Sequence, residues 1–285
     1  MPMSLPQPGA PAGSDAALAC GDPAPGASLA PAAPSPSVDD LFRTLRLAAQ
    51  GVGRWLREHE PLLLSLMETW AKFHALDRSG WLPHHTTPFH LLDPRETDSD
   101  VAGRILETYY EAEWSAVEAA FRARLETHGF DLETLATFDE ALTAHRHGLY
   151  RATPRTLFPD IERKARDVLD ENGMATQSGL RDLRRAVDAL GLENFTRSGV
   201  VSPKLYRMFA RHLYSTVRTS ERLAEVAADP VPNRHAALHG LVVYASCQAS
   251  LNALIMAEYA HLSILAVART LEDRRDDTEL SLQPG

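Results

Sequence analysis

From residue 38 onward, apolar residues recur at three- and four-residue spacing, and no stretch alternates with the period of two that marks a strand. Val38, Leu41, Leu45 and Ala48 open the pattern, with Ser37 as the cap. Pro61 stands at a first helical position, and Leu62 to Ala75 continue as helix. Residues 80–94 hold three prolines and are expected as a loop. Asp98 or Ser99 would cap a long helix from about Val101 to Thr127, which Gly129 stops.

A second block follows. Asp131 starts a helix whose apolar face is Leu135, Phe138, Leu142 and Leu149, ending near Tyr150. Pro154 opens the next, to about Asp170, with Asn172 and Gly173 as its stop. Ser178 would cap a short helix through Leu190, and 191–202 reads as loop. Pro203 would open a helix over Leu205–Ala227, broken by Pro230 and Pro232. The last long helix is expected over about Ala245–Glu272.

The pattern predicts an all-α helical bundle. Residues 1–37 are mostly Ala, Pro and Gly and are expected to be a disordered tail. Residues 38–129 form an N-terminal helical region, 131–270 a second bundle, and 271–285 a flexible tail. Gly129 is too short a linker for independent domains, so the two helical blocks are expected to share a core.

Composition refines this picture. A hydrophobic share of 44% with 24% charged residues is that of a chain able to bury a core. The two cysteines, Cys20 in the tail and Cys247 in an apolar helix, do not suggest a disulfide framework and fit a reducing compartment. The N-terminus lacks the basic and continuous apolar regions of a signal peptide. The longest apolar stretch, Leu241 to Ala268, carries Gln248, Asn252, Glu258 and His261. That polar load reads as a buried core helix, not a membrane span. A cytoplasmic protein without a membrane partner is expected.

The net charge of -9 disfavours non-specific binding of polyanions. It is uneven, however. Residues 145–225 carry fifteen Lys/Arg against ten Asp/Glu. Solvated helix faces explain this excess; a local surface for phosphate backbone is the alternative.

The stretch from Pro230 to Gly240 holds the chemistry. Two prolines end the preceding helix, Asn233 is a good N-cap, and Gly240 is a natural stop. Arg234, His235 and His239 therefore share one or two helical turns. Three readings compete. The histidines could be structural, with Arg234 paired to a carboxylate such as Glu258. His235 and His239, four apart, could chelate zinc, but the Glu of a metalloprotease motif is missing and no third ligand is obvious. Alternatively, His239 could act as general acid/base on a phosphodiester while Arg234 stabilises charge on the phosphate. No metal and no cofactor is assigned.

At these residues the chain resembles the HEPN superfamily. That motif is Arg, a polar residue, three to five further residues and His, near the start of a late helix in an all-α bundle. Here it reads Arg234, His235, Ala236, Ala237, Leu238, His239. The segment is also similar to bacterial HEPN-like proteins with Asn-Arg-His-x-x-Leu-His-Gly ahead of a final helix, here with Ser250, Leu251 and Asn252. An upstream segment with Gly148, Tyr150, Pro159, Ile161 and Glu162 is similar too. The likeness spans about residues 131–270. It implies a homodimer whose paired motifs line one cleft that cuts or binds RNA, with Arg234 and His239 catalytic and His235 between them. Many such proteins are toxins or phage-defence effectors. Others have lost catalysis, so the alternative is a non-catalytic dimerisation or interaction module.

Lesser candidates remain. His84, His85 and His90, with Asp93, lie in the proline-rich loop and could bind a transition metal. The plainer expectation is a loop anchored by Trp81, Leu82, Phe89 and Leu91, with its histidines facing solvent. His145 and His147 are two apart and point to different helix faces. Glu140 and Glu162 are expected to pair with nearby arginines. Trp55, Trp70, Trp81 and Trp114 are expected in the core, not as a stacking platform for bases.

Overall fold

The computed structural model describes residues 38–96, 98–173, 180–188 and 208–281. The architecture is all-α, with no strand among the described residues. The expected tail over 1–37, the caps at Ser37 and Ser178, the loop over 191–202 and the helix start at Pro203 lie outside them.

The chain divides into two compact units, Met1–Glu60 and Pro61–Gly285. The first contains helix α1 (Val38–Glu58), on which Val52, Trp55 and Leu56 are exposed. Helix α2 (Glu60–Arg78) leads into the second. Leu62, Leu64, Leu66, Met67 and Trp70 are all exposed, and α2 meets the core only at Ala75 and Leu76. The expectation of four core tryptophans is corrected here. Trp81 is buried and Trp114 half-buried, but Trp55 and Trp70 are 51% and 68% exposed. An apolar stripe states which face avoids water, not what covers it.

After the loop and its short 3₁₀ turn at Phe89–Leu91 come α3 (Ser99–Ala112), α4 (Trp114–His128), α5 (Leu132–Arg146) and α6 (Ala152–Glu171). Asp98 caps α3 by accepting from Asp100 N, and Asp131 caps α5 by accepting from Thr134 N. Gly129 and Gly173 take positive φ where α4 and α6 end. The single helix expected over 101–127 is divided at Glu113, whose backbone leaves helical geometry (φ -104°, ψ 17°).

Residues 180–188 are helical. The helix expected over Leu205–Ala227 is also interrupted. A π-helical turn, Phe209–Leu213, gives way to irregular backbone before α7 (Ser220–Ala228), newly capped by Thr219. α8 (Arg234–Leu238) and α9 (Cys247–Ser281) complete the fold. α9 runs through residues expected as flexible tail. Leu271, Glu272, Arg274 and Arg275 are good helix formers, which favours continuation.

The core is one cluster in which α9 packs on α6 and α5, and α5 on α6. Phe121, Phe138, Phe158, Ile161, Leu254 and Ile255 are fully buried, each worth about 1.5–3 kcal/mol relative to exposure. α9 is long and apolar enough to cross a membrane by length and composition, yet 72% of that stretch is buried inside the protein. Its polar residues have inward partners. Asn252 accepts from Leu82 N at 3.0 Å and donates to the carbonyls of Gly80 (2.8 Å) and Pro230 (3.3 Å). Gly80 has positive φ, and a Cβ there would collide with the Pro230 ring, so both conformation and space require glycine.

Candidate functional site

Asn233 builds the α8 segment. It is fully buried, and its side chain accepts from Ala236 N at 3.0 Å as the N-cap. Its Nδ2 donates to the carbonyls of Ser215 (3.2 Å) and Arg211 (3.4 Å), and its backbone N–H to Tyr244 Oη (3.0 Å). One side chain thus holds the start of the irregular 214–219 stretch and caps α8.

Arg234 follows directly. Its Nη1 donates to Glu162 Oε2 on α6 at 2.8 Å and its Nε to the Leu213 carbonyl at 3.2 Å. The partner is Glu162, not the Glu258 considered from sequence. The guanidinium is 19% exposed and the carboxylate 29%. His235 Nδ1 accepts from Val217 N at 3.4 Å. Its pKa is lowered, first by desolvation and then by His239, Arg234 and Arg218. His239 ends α8 as an exposed C-cap residue. The His235 and His239 rings lie 4.5 Å apart, as four-residue spacing requires. Arg234 and His239 are five apart, about 140° around a regular helix, so within one chain α8 brings together the two imidazoles and turns the guanidinium toward α6. The helix start itself offers little to an anion: α8 has only five residues, and Asn233 already takes the Ala236 N–H.

The basic excess is largely answered by nearby carboxylates. Arg163 pairs with Asp160, Asp167 and Asp131, Lys164 with Asp131, Arg185 with Asp182, and Arg222 with Glu225. Arg166, Arg184 and Arg211 lie within 3.7 Å of Glu162, Asp188 and Asp229. Among the described residues, most of the block's basic side chains are thus paired on helix faces.

A second cluster centres on Glu258, fully buried in α9. Its Oε2 faces His84 Nε2 at 2.6 Å. Its Oε1 accepts from Arg124 Nε at 2.5 Å and His128 Nε2 at 3.2 Å. Burial opposes the charged form, but His128, His84 and Arg124 outweigh it and hold the carboxyl well below its ordinary range. Burial pushes His84 down, and desolvation takes His85 down to about 4. The expectation of solvent-facing loop histidines is therefore corrected for His84, which is buried, while His85 and His90 are exposed. The sequence pattern offers Glu258 as polar load and as a possible partner of Arg234, not as the centre of a histidine cluster. A carboxylate within an otherwise apolar core helix was the available signal.

A third polar group is internal. His145 Nδ1 lies 2.8 Å from Ser250 Oγ, which donates to Thr153 Oγ1, and Cys247 Sγ lies 3.8 Å from His145 Nε2. Burial pushes the thiol up to about 11 and the imidazole down to about 4. This is a neutral pair, the reverse of an activated thiolate. His147 is exposed on another face, as its spacing predicts.

Comparison with family models, curated proteins and solved structures gave no match.

Proposed function

We propose that α8 is the working segment of a HEPN-like protein directed at RNA, cutting or holding a phosphodiester without a metal. His239 serves as general acid/base, His235 is its polar neighbour, and Arg234 supplies positive charge for the phosphate. The observation that supports this is the imidazole pair 4.5 Å apart, one member open to solvent, immediately after a guanidinium. An imidazole is suited to proton transfer near neutral pH. A homodimer would set a second Arg234 opposite the first chain's His239, which the 140° separation within one chain makes the natural route to a composite site. Toxicity or phage defence would follow from cleavage of cellular RNA.

The experiment is RNA cleavage in EDTA by the parent and His239→Ala proteins, with helicity followed by circular dichroism. The variant should lose cleavage and keep its helicity. Cleavage that survives the substitution, or a parent that leaves RNA intact, refutes catalysis at this segment.

One observation favours a second reading, a non-catalytic interaction module. Arg234 already holds a carboxylate, and a phosphate approaching Glu162 would meet like charge. At 4 Å and an effective dielectric of 20, two unit charges repel by about 4 kcal/mol. Under this reading RNA stays intact whatever stands at position 239, and light scattering still finds a dimer.

A further inference from the structure

We propose that His84, His85 and Glu258 form a binding site for a divalent transition metal, with two imidazoles and one carboxylate as ligands. One candidate ligand atom from each lies within 4.8 Å of the others. Glu258 and His84 are buried and His85 is exposed, so the cluster has an interior floor and a solvent-side member. It is separate from α8 and does not depend on the reading given to Arg234 and His239.

The geometry needs little adjustment. A tetrahedral zinc with bonds of about 2.0–2.1 Å keeps its ligand atoms about 3.3 Å apart. His84 Nε2 and Glu258 Oε2, now 2.6 Å apart, would open by less than about 1 Å, and His85, on a turn, closes from the other side. The two imidazole rings are already 4.0 Å apart, and Phe121 stacks on His84 at 4.2 Å.

The protons also balance. Without metal, His84 Nε2–H donates to Glu258. An ion replaces that proton, which moves to Nδ1, 2.8 Å from Thr86 Oγ1. A hydroxyl rotates to donate or accept, so His84 keeps this partner in either tautomer. Only the long 3.4 Å approach of Thr86 N–H to Nδ1 is given up.

Outer donors orient the carboxylate. Arg124 and His128 both engage Oε1, which leaves Oε2 for the ion, the arrangement by which outer hydrogen bonds fix a metal ligand's orientation. With three protein ligands, the fourth position is left to water or an external ligand. The competing state is a metal-free ion-pair cluster in which Arg124 alone neutralises Glu258.

Zinc titration of the full chain, first stripped with EDTA, separates the two. Calorimetry and elemental analysis should find one zinc per chain, and the melting temperature should rise with free zinc. His85→Ala removes the exposed ligand without opening the core. It should weaken zinc binding at least about tenfold and leave the metal-free melting temperature unchanged. Cobalt should give a visible ligand-field band that the same variant loses. His90→Ala, on the same loop, and His239→Ala, in the other histidine pair, should bind zinc like the parent. Absence of zinc binding, equal binding by His85→Ala, or loss through His239→Ala would each overturn the site.

Discussion

Replacing Glu258 by Gln in metal-stripped protein tests what holds the centre of the fold. The substitution keeps shape and removes charge. The carboxylate is fully buried and accepts from three donors, Arg124 at 2.5 Å, His84 at 2.6 Å and His128 at 3.2 Å. Gln offers one oxygen and one NH₂, so with its oxygen toward Arg124 and His128 it loses the negative charge they face, and its NH₂ meets His84 only after that imidazole moves its proton to Nδ1. Hydrogen bonds to a charged group contribute about 1.5–3 kcal/mol each, and breaking a buried pair costs about 3–5 kcal/mol. The Arg124 side chain is 34% exposed and regains water when released, which discounts its share. The expected loss is therefore about 2–4 kcal/mol, read as a lower urea midpoint at unchanged slope. Adding Arg124→Gln should show coupling of about 0.5–3 kcal/mol in a double-mutant cycle.

The sign with pH follows from the same contacts. A carboxyl whose folded pKa lies below its unfolded value stabilises above the unfolded value, 4.5 here, and loses that contribution as pH falls toward the folded one. The gap between parent and Glu258→Gln should be full at neutral pH and shrink only below about 4.5. A neutral-pH penalty under about 1 kcal/mol, or a gap that persists in acid, refutes the argument.

Two further predictions concern the interior. Burial lowers His145 from 6.5 to about 4, so unfolding takes up a proton below 6.5, and this residue should cost on the order of 3 kcal/mol of stability between those values. His145→Gln should flatten the urea midpoint against pH across that window; an unchanged profile would show that other groups govern it. Asn233→Ala removes a buried cap and two further donor contacts; it should cost about 2–3 kcal/mol by urea denaturation, and a loss under about 0.5 kcal/mol would contradict its role as a clamp.

The helices that could be read along the chain are those whose ends are set locally. Asp98, Asp131 and Asn233 act as caps from their own side chains, and Gly129 and Gly173 stop helices through positive φ. The interruption at 214–219 was hidden because its stabilising amide, Asn233 Nδ2, arrives from 18 residues downstream. Glu258 was hidden for the same reason at larger scale, since its partners lie 130 to 174 residues away. At α8, spacing correctly paired His235 with His239. It could not show that Arg234 would turn to Glu162, 72 positions earlier in the chain.

The amide of Asn252 links two backbone segments that the ribosome delivers far apart in time: the loop holding Gly80 and Leu82, and Pro230. Until residue 252 is synthesised, Leu82 lacks its acceptor and the early helices have no central column to close against. Contacts of such long range are slow to form, so the nascent chain presents greasy, incompletely packed surface for most of its translation. Chaperone demand should therefore fall abruptly once α9 leaves the exit tunnel.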